Sequence, residues 1–143
     1  MIDSATDTAF VAASPEHCLA VAIDFEHYPA WAPDVKEVRI LDTDPSGRAT
    51  KVEFRASALG RSTHYTLAYD YSQAPRRITW SLVDGDIMRL VDGAYTFEAD
   101  GEGTRVTYSL AIELVVPLPG FVKRRAEVRI LNSLKELKNR AEA

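Results

Sequence analysis

Tyr65, Tyr69 and Tyr108 each fall on an apolar face of an alternating stretch, and Asp92 lies three residues after Arg89. A phenol or carboxyl group turned into a dry interior has its pKa displaced and can then move protons. General acid–base chemistry through Tyr65, Tyr69 and Asp92 is therefore the catalytic option open to this chain, Asp92 only if a bulge turns it inward. The structural alternative is that the hydroxyls satisfy backbone groups and Asp92 shapes the bulge. Other chemistries lack their residues. His17, His27 and His64 fall on three separate predicted elements, without His-x-x-x-His or Cys-x-x-Cys spacing, so no metal site is expected. No Gly-x-Ser-x-Gly elbow is present. Cys18, the one cysteine, sits among apolar residues with no cation nearby in sequence, which predicts a buried, inert thiol. Gly101 and Gly103 belong to a hairpin turn rather than a phosphate cradle, and no cofactor is expected.

The elements that must position these groups are mostly strands. Thr6 to Ala13 reads as an opening strand. Ser14-Pro15-Glu16 then supplies an N-cap, a proline at the first helical position and an acid in the first turn. His27-Tyr28-Pro29 and Ala32-Pro33 break that helix and leave Trp31 on a short second helix or pair of turns. From Val35 the period is two. Strands are predicted at Val35–Thr43, Thr50–Leu59, Ser62–Ser72, Arg77–Val83, Met88–Ala99 and Arg105–Val115, with turn residues such as Asp44-Pro45-Ser46-Gly47 and Asp100-Gly101-Glu102-Gly103 between them. Neighbours this close connect as hairpins, so the sheet should be antiparallel. Met88 and Leu90 are out of step with Tyr95 and Phe97, which predicts a bulge near Asp92-Gly93. After Pro117-Leu118-Pro119-Gly120, residues 121–143 contain neither proline nor glycine, enough for a helix of about 34 Å. Val122, Ala126, Ile130, Leu134, Leu137 and Ala141 share one face of it.

Each strand has one dry and one wet face, as in Val52, Phe54, Ala56 and Ala58 against Lys51, Glu53 and Arg55. One helix, about 10 Å wide, cannot cover every dry position of six or seven strands. The dry positions mix small residues (Ala56, Ala58, Gly93, Ala94) with polar-tipped rings (Tyr65, Tyr69, Tyr108, Trp80), the lining of a ligand pocket. The same residues are equally compatible with a closed core. Trp31 would overhang a cavity mouth as gate or plug. The chain has 143 residues, net charge -4 and a hydrophobic share of 46%, which suits one globular domain and argues against a nucleic-acid footprint. No apolar stretch reaches the ~20 residues of a membrane span. Met1 to Phe10 lacks a secretory pattern, so a cytoplasmic protein without stable membrane insertion is expected. Lys123-Arg124-Arg125 opposes the dipole at the helix start. It is a solvated face or an attraction for an anionic headgroup.

The Ser14-Pro15-Glu16 helix start, the run Asp24-Phe25-Glu26-His27-Tyr28-Pro29-Ala30-Trp31 and the strand opening Val35-Lys36-Glu37-Val38 resemble the polyketide cyclase/dehydrase branch of the START-like (Bet v 1-like, SRPBCC) superfamily. Asp92-Gly93-Ala94-Tyr95-Thr96-Phe97, Gly103-Thr104-Arg105-Val106 and Pro117-Leu118-Pro119-Gly120 extend the similarity over nearly the whole chain, in order. The resemblance implies one domain over 1–143 with an α+β helix-grip fold: a curved antiparallel sheet of six to seven strands around a long C-terminal helix, with two short helices after the first strand. It also implies a hydrophobic cavity between sheet and helix that binds a lipid, quinone or polyketide-like aromatic. Within that cavity the ligand-facing residues would be Trp31, Phe54, Tyr65, Leu67, Tyr69, Trp80, Met88, Leu90, Tyr95 and Tyr108 from the sheet side, with Phe121, Val122, Ala126 and Ile130 from the helix. The alternative within the family is a cyclase or dehydratase acting on a poly-β-ketone. Aromatase/cyclases of this branch use a tyrosine after the short helices, an arginine in a middle strand and an asparagine on the last helix. The matching places here hold Val35, Tyr69 and Ser133.

Overall fold

The computed structural model describes residues 3–32, 35–58, 61–115 and 125–143, with side chains described throughout except at 3, 57, 58, 61 and 125–131. The alternating stretches form seven strands: β1 (Asp3–Val11), β2 (Val35–Thr43), β3 (Ala49–Ala58), β4 (Arg61–Asp70), β5 (Arg77–Gly85), β6 (Met88–Asp100) and β7 (Gly103–Leu114). They make a single antiparallel sheet in the order β1-β7-β6-β5-β4-β3-β2. Hairpins join β2 through β7 consecutively, while β1 and β2 stand at opposite edges. The connection between those edges carries α1 (Pro15–Ala22), a 3-10 turn (Phe25–His27) and the short α2 (Tyr28–Trp31). The last helix, α3, spans Arg125–Glu142.

Local chemistry accounts for the joints. Ser14 Oγ accepts from the His17 backbone N–H at 3.1 Å and Pro15 occupies the first turn, so α1 starts where a cap and a preset φ coincide. In the β2–β3 turn, Asp44 accepts from the N–H groups of Ser46 and Arg48, both at 2.9 Å, and Gly47 takes φ +86. The wet face of β2 and β3 is laced by cross-strand ion pairs, Glu37 with Arg55 at 2.6 Å and Arg39 with Glu53 at 3.7 Å.

The other face carries the core. Val38 and Ile40 of β2 pair with Phe54 and Val52, which pair with Tyr65 and Leu67. Leu67 and Tyr69 pair with Leu82 and Trp80, Trp80 with Gly93, and Ile78 and Tyr95 with each other and onward to Tyr108. Among residues whose side chains are described, every inner position from Val38 to Leu114 is uncharged; the side chain of Arg61, in register with Ala58, lies outside them. Within α3, Leu134, Leu137 and Ala141 are buried, and the helix packs on β1, β7, α1 and α2.

The bulge lies elsewhere than expected. Pairing of β6 with β7 is regular from Leu90 to Asp100, and the register slips between Met88 and Leu90, so the extra residue is Arg89. Gly93 serves a different need. A Cβ there would stand 2.2 Å from Trp80 Cε2, so the position is glycine because the Trp80 indole lies directly on the strand. A second slip, between Thr66 and Leu67 of β4 against β5, leaves Val83 as the extra residue, half exposed to solvent. Bulges of this kind bend a sheet, which is how this one acquires its curvature.

Candidate ligand-binding site

Phe25, Tyr28 and Trp31 follow one another at three-residue spacing, which brings them to one side of the 3-10 turn and α2. Their rings continue into those of the sheet. Trp31 meets Tyr28 edge-on at 4.9 Å, Tyr28 meets Phe25 at 5.3 Å, and Phe25 meets Tyr69 at 4.7 Å and Phe54 at 6.2 Å. Phe54 stacks on Tyr65 at 5.4 Å. Tyr69 touches Trp80, and Trp80 touches Tyr95 and Tyr108 at 5.4 and 5.6 Å. The result is an unbroken belt of rings from α2 across β3, β4, β5, β6 and β7.

Not all of this belt is packed shut. Phe54, Tyr65, Leu67, Trp80, Tyr95 and Tyr108 are buried, but Tyr69 and Leu82, on the inner face of the central strands, are only half-buried, as is Tyr28 facing them. A residue in the middle of a sheet's inner face keeps accessible surface only where no side chain is pressed against it. Yet Tyr69 is deeply desolvated. Burial first, then the neighbouring phenols of Tyr28, Tyr65, Tyr108 and Tyr71, raise its hydroxyl well above the ordinary tyrosine value. Burial does the same to Tyr28, reinforced by Tyr108, Tyr71, Tyr65 and Asp24. Tyr28, Tyr69 and Leu82 thus keep accessible surface on the inner side of the sheet, beside rings that are buried.

These phenols are donors. Raised values keep them protonated at neutral pH, so they cannot serve as general bases. The Tyr28 hydroxyl donates to the Ala22 carbonyl, and that of Tyr71 to the Ala49 carbonyl at 2.5 Å. Burial, eased by Arg48 and reinforced by Asp44, pushes Tyr71 up to about 12.

The expected residues divide as follows. Trp31, Phe54, Tyr65, Leu67, Tyr69, Trp80, Tyr95 and Tyr108 come together in the belt, and Met88 pairs with Leu114 on the same face. Leu90 does not join them. The bulge at Arg89 places it opposite Glu113 on the outer face. Asp92 is likewise exposed, opposite Ala111, because regular pairing on either side of it leaves no bulge to turn it inward. Its expected proton-transfer role therefore loses its geometry. Phe121 and Val122 lie outside the described residues, as do Lys123 and Arg124, and the side chains of Ala126 and Ile130 lie outside them too. Phe25, Tyr28 and Leu82 were missed. The repeated spacing in Phe25, Tyr28 and Trp31 carried the signal for the first two.

A family model described as "Polyketide cyclase / dehydrase and lipid transport" matches residues 3–142. The chain belongs to this family. Among solved structures, a START superfamily protein from Mycobacterium smegmatis is 28% identical, with a TM-score of 0.88 over 97% of each chain. The Zhui aromatase/cyclase from Streptomyces sp. R1128 superposes with a TM-score of 0.81 at 18% identity, covering 99% of this chain and 94% of that one. A ginseng major latex-like protein (Panax ginseng) gives 0.71 at 12% identity over 99% of each chain. At those two identities the likeness is one of fold. No curated protein gives a significant match. The helix-grip architecture is thus that of the START/Bet v 1-like superfamily, a fold built to hold ligands. Of the places that match the aromatase/cyclase residues, Val35 is buried and Ser133 half-buried, while the adjacent Asn132 is exposed. Shifting the match by one residue along α3 therefore puts the asparagine at the surface.

Cys18 is fully buried and its thiol raised, by burial first, as an inert core cysteine requires. Among the described residues no group of three or more His, Cys, Asp and Glu side chains is arranged to hold a metal ion. No described helix is long and apolar enough to cross a membrane. An open depression of about 400 Å³ between α1 and the end of α3, lined by His17, Ala20, Val21, Asp24, Arg140 and Ala143, lies apart from the ring belt.

Proposed function

We propose that the protein binds and carries a small apolar molecule, such as a lipid, quinone or polyketide-like aromatic, against the inner face of its sheet. The observation that carries this reading is the half-buried state of Tyr69 and Leu82 in the middle of that face, beside the buried rings of Phe54, Tyr65, Trp80, Tyr95 and Tyr108. Affinity would come from apolar area removed from water, at ~25 cal/mol per Å². Aromatic walls add shape selectivity for flat or ring-bearing guests. The ligand-contacting residues are Trp31, Phe54, Tyr65, Leu67, Tyr69, Trp80, Met88, Tyr95 and Tyr108, joined by Phe25, Tyr28 and Leu82.

Binding is favoured over turnover because an acid–base reaction needs a base as well as an acid. Among the described residues the inner face from β2 to β7 holds neither a carboxylate nor a histidine, and the hydroxyls of Tyr69 and of Tyr28 facing it stay protonated. The decisive experiment is native mass spectrometry of protein purified from its own host, followed by titration with naphthalene and with a short-chain ubiquinone. A retained small molecule, or saturable 1:1 binding competed by it, is expected. A protein that carries no guest and binds neither probe refutes the proposal.

A further inference from the structure

The belt contains one polar group with nothing to do. Trp31 is half-buried, but its indole nitrogen is fully buried, and it is the one buried side-chain nitrogen or oxygen among the described residues without a hydrogen-bond partner. The ring is therefore inserted with its N–H inward. A buried donor left unsatisfied costs the fold the full desolvation of that group, so native structures rarely keep one without a use. The neighbours do not supply an acceptor. The Tyr28 ring faces Trp31 edge-on, and the Tyr28 hydroxyl is directed to the Ala22 carbonyl. A succession of ring contacts, by way of Tyr28 and Phe25, links the indole to Tyr69, the half-buried ring of the sheet's inner face.

We infer that the Trp31 indole N–H is the polar anchor of the ligand site and donates to a neutral oxygen acceptor, a ketone, quinone or ether oxygen, at the end of the guest beneath α2. This rests on the ligand-binding reading above and narrows its substrate class. The acceptor is neutral because every inner-face residue from β2 to β7 with a described side chain is uncharged, so a carboxylate beside them would be desolvated without a counter-ion. A pure hydrocarbon would leave the donor without an acceptor. An oxygen at this end satisfies it, and the guest gains orientation as well as affinity.

The test compares 1-tetralone with tetralin, which share a ring skeleton and differ in the carbonyl, by titration of wild type and Trp31→Phe. The variant keeps an aromatic ring but removes the N–H. It should bind 1-tetralone about threefold to tenfold more weakly, the range of one net hydrogen bond, while tetralin changes less than about twofold. Equal weakening of both probes, or of neither, overturns the anchor while leaving the cavity intact. Failure of wild type to bind either probe overturns the ligand-binding reading itself. A second readout needs no Trp31 variant. In wild type, with the two indole N–H resonances assigned through Trp80→Phe, the Trp31 resonance should move downfield on adding 1-tetralone and stay in place with tetralin. An unmoved resonance at saturating ketone refutes the proposal.

Discussion

Gly93→Ala should break the floor of the site by a predictable amount and for a single reason. An added methyl carbon would sit 2.2 Å from Trp80 Cε2 and 2.3 Å from both Cζ2 and Nε1. Ordinary carbon contacts begin near ~3.5 Å, so the indole must withdraw by about 1 Å or the strands must part. Neither is easy. Trp80 is held against Tyr69, Tyr95 and Tyr108 at 5.7, 5.4 and 5.6 Å, and Gly93 is paired with it across the β5–β6 ladder. Overpacking of this kind costs about 1–3 kcal/mol. The offsetting gain from removing a strand glycine is smaller, roughly 0.5–1 kcal/mol. The expected net loss of ~1–2 kcal/mol corresponds to a fall in Tm of roughly 2–8 °C for a chain of this size. Urea unfolding followed by circular dichroism measures it, with Trp80→Leu as the second corner of a double-mutant cycle. If the clash is the cause, Gly93→Ala should cost little or nothing in the Trp80→Leu background, giving a coupling of at least about 1 kcal/mol. Equal cost in both backgrounds would mean that glycine is needed for its backbone, and the seating argument would fail.

Four further outcomes follow from the geometry. Ser14→Ala removes the cap of α1 and should lower stability by about 1 kcal/mol in urea titrations, whereas Ser14→Asp should be near neutral. Burial works against the ionised Asp86 carboxylate, but its bonds from Thr63, the His64 N–H and the Ile87 N–H outweigh that and hold it below the ordinary range. A depressed folded value contributes stability above the unfolded value, near ~3.9, that is lost as pH falls through the folded one; the Tm gap between wild type and Asp86→Asn should therefore be widest near neutrality and close on acidification. Tyr28, Tyr69 and Tyr71 are raised, so their contribution is complete below pH ~10 and lost as pH climbs through the folded values. A spectrophotometric titration should show only part of the six tyrosines ionising before alkaline unfolding. Tyr69→Ala should enlarge the internal space and shift preference towards bulkier guests, with destabilisation of about 3–5 kcal/mol, which calorimetric titration and thermal melts would separate.

The strands and the first helix were legible in the sequence because their signals are local. Alternation fixed which residues face inward, and Ser14-Pro15 fixed where α1 begins, to within a residue or two. The signals that misled were also local, but had two meanings. A glycine in a strand marks either a bulge or a close approach, and the sequence around Asp92-Gly93 does not distinguish them. The choice is made by Trp80, thirteen positions earlier, whose ring needs the space. Parity demanded an extra residue somewhere between Leu90 and Tyr95 or just before, and only the pairing of Met88 with Leu114 and Leu90 with Glu113 assigns it to Arg89. That assignment turns Leu90 and Asp92 outward together, so one misplaced bulge accounts for both residues wrongly expected at the site.

The same distinction explains why the site was harder to read than the fold. A dry face predicts burial equally well for a filled core and for a lined space, since both exclude water from the strand. What separates them is whether facing side chains meet, and that is a property of residues far apart in the chain. Here Phe25 meets Tyr69 and Phe54, yet Tyr69 and Leu82 keep accessible surface beside that contact. A closed core would have spent the flexible Leu82 on the remaining gap before leaving a tyrosine desolvated and half-uncovered, because each unfilled methyl-sized void forfeits dispersion contacts on its walls. On the proposed reading the aromatic belt lines the space for a guest, and the unpartnered Trp31 donor at one end sets which part of that guest belongs there.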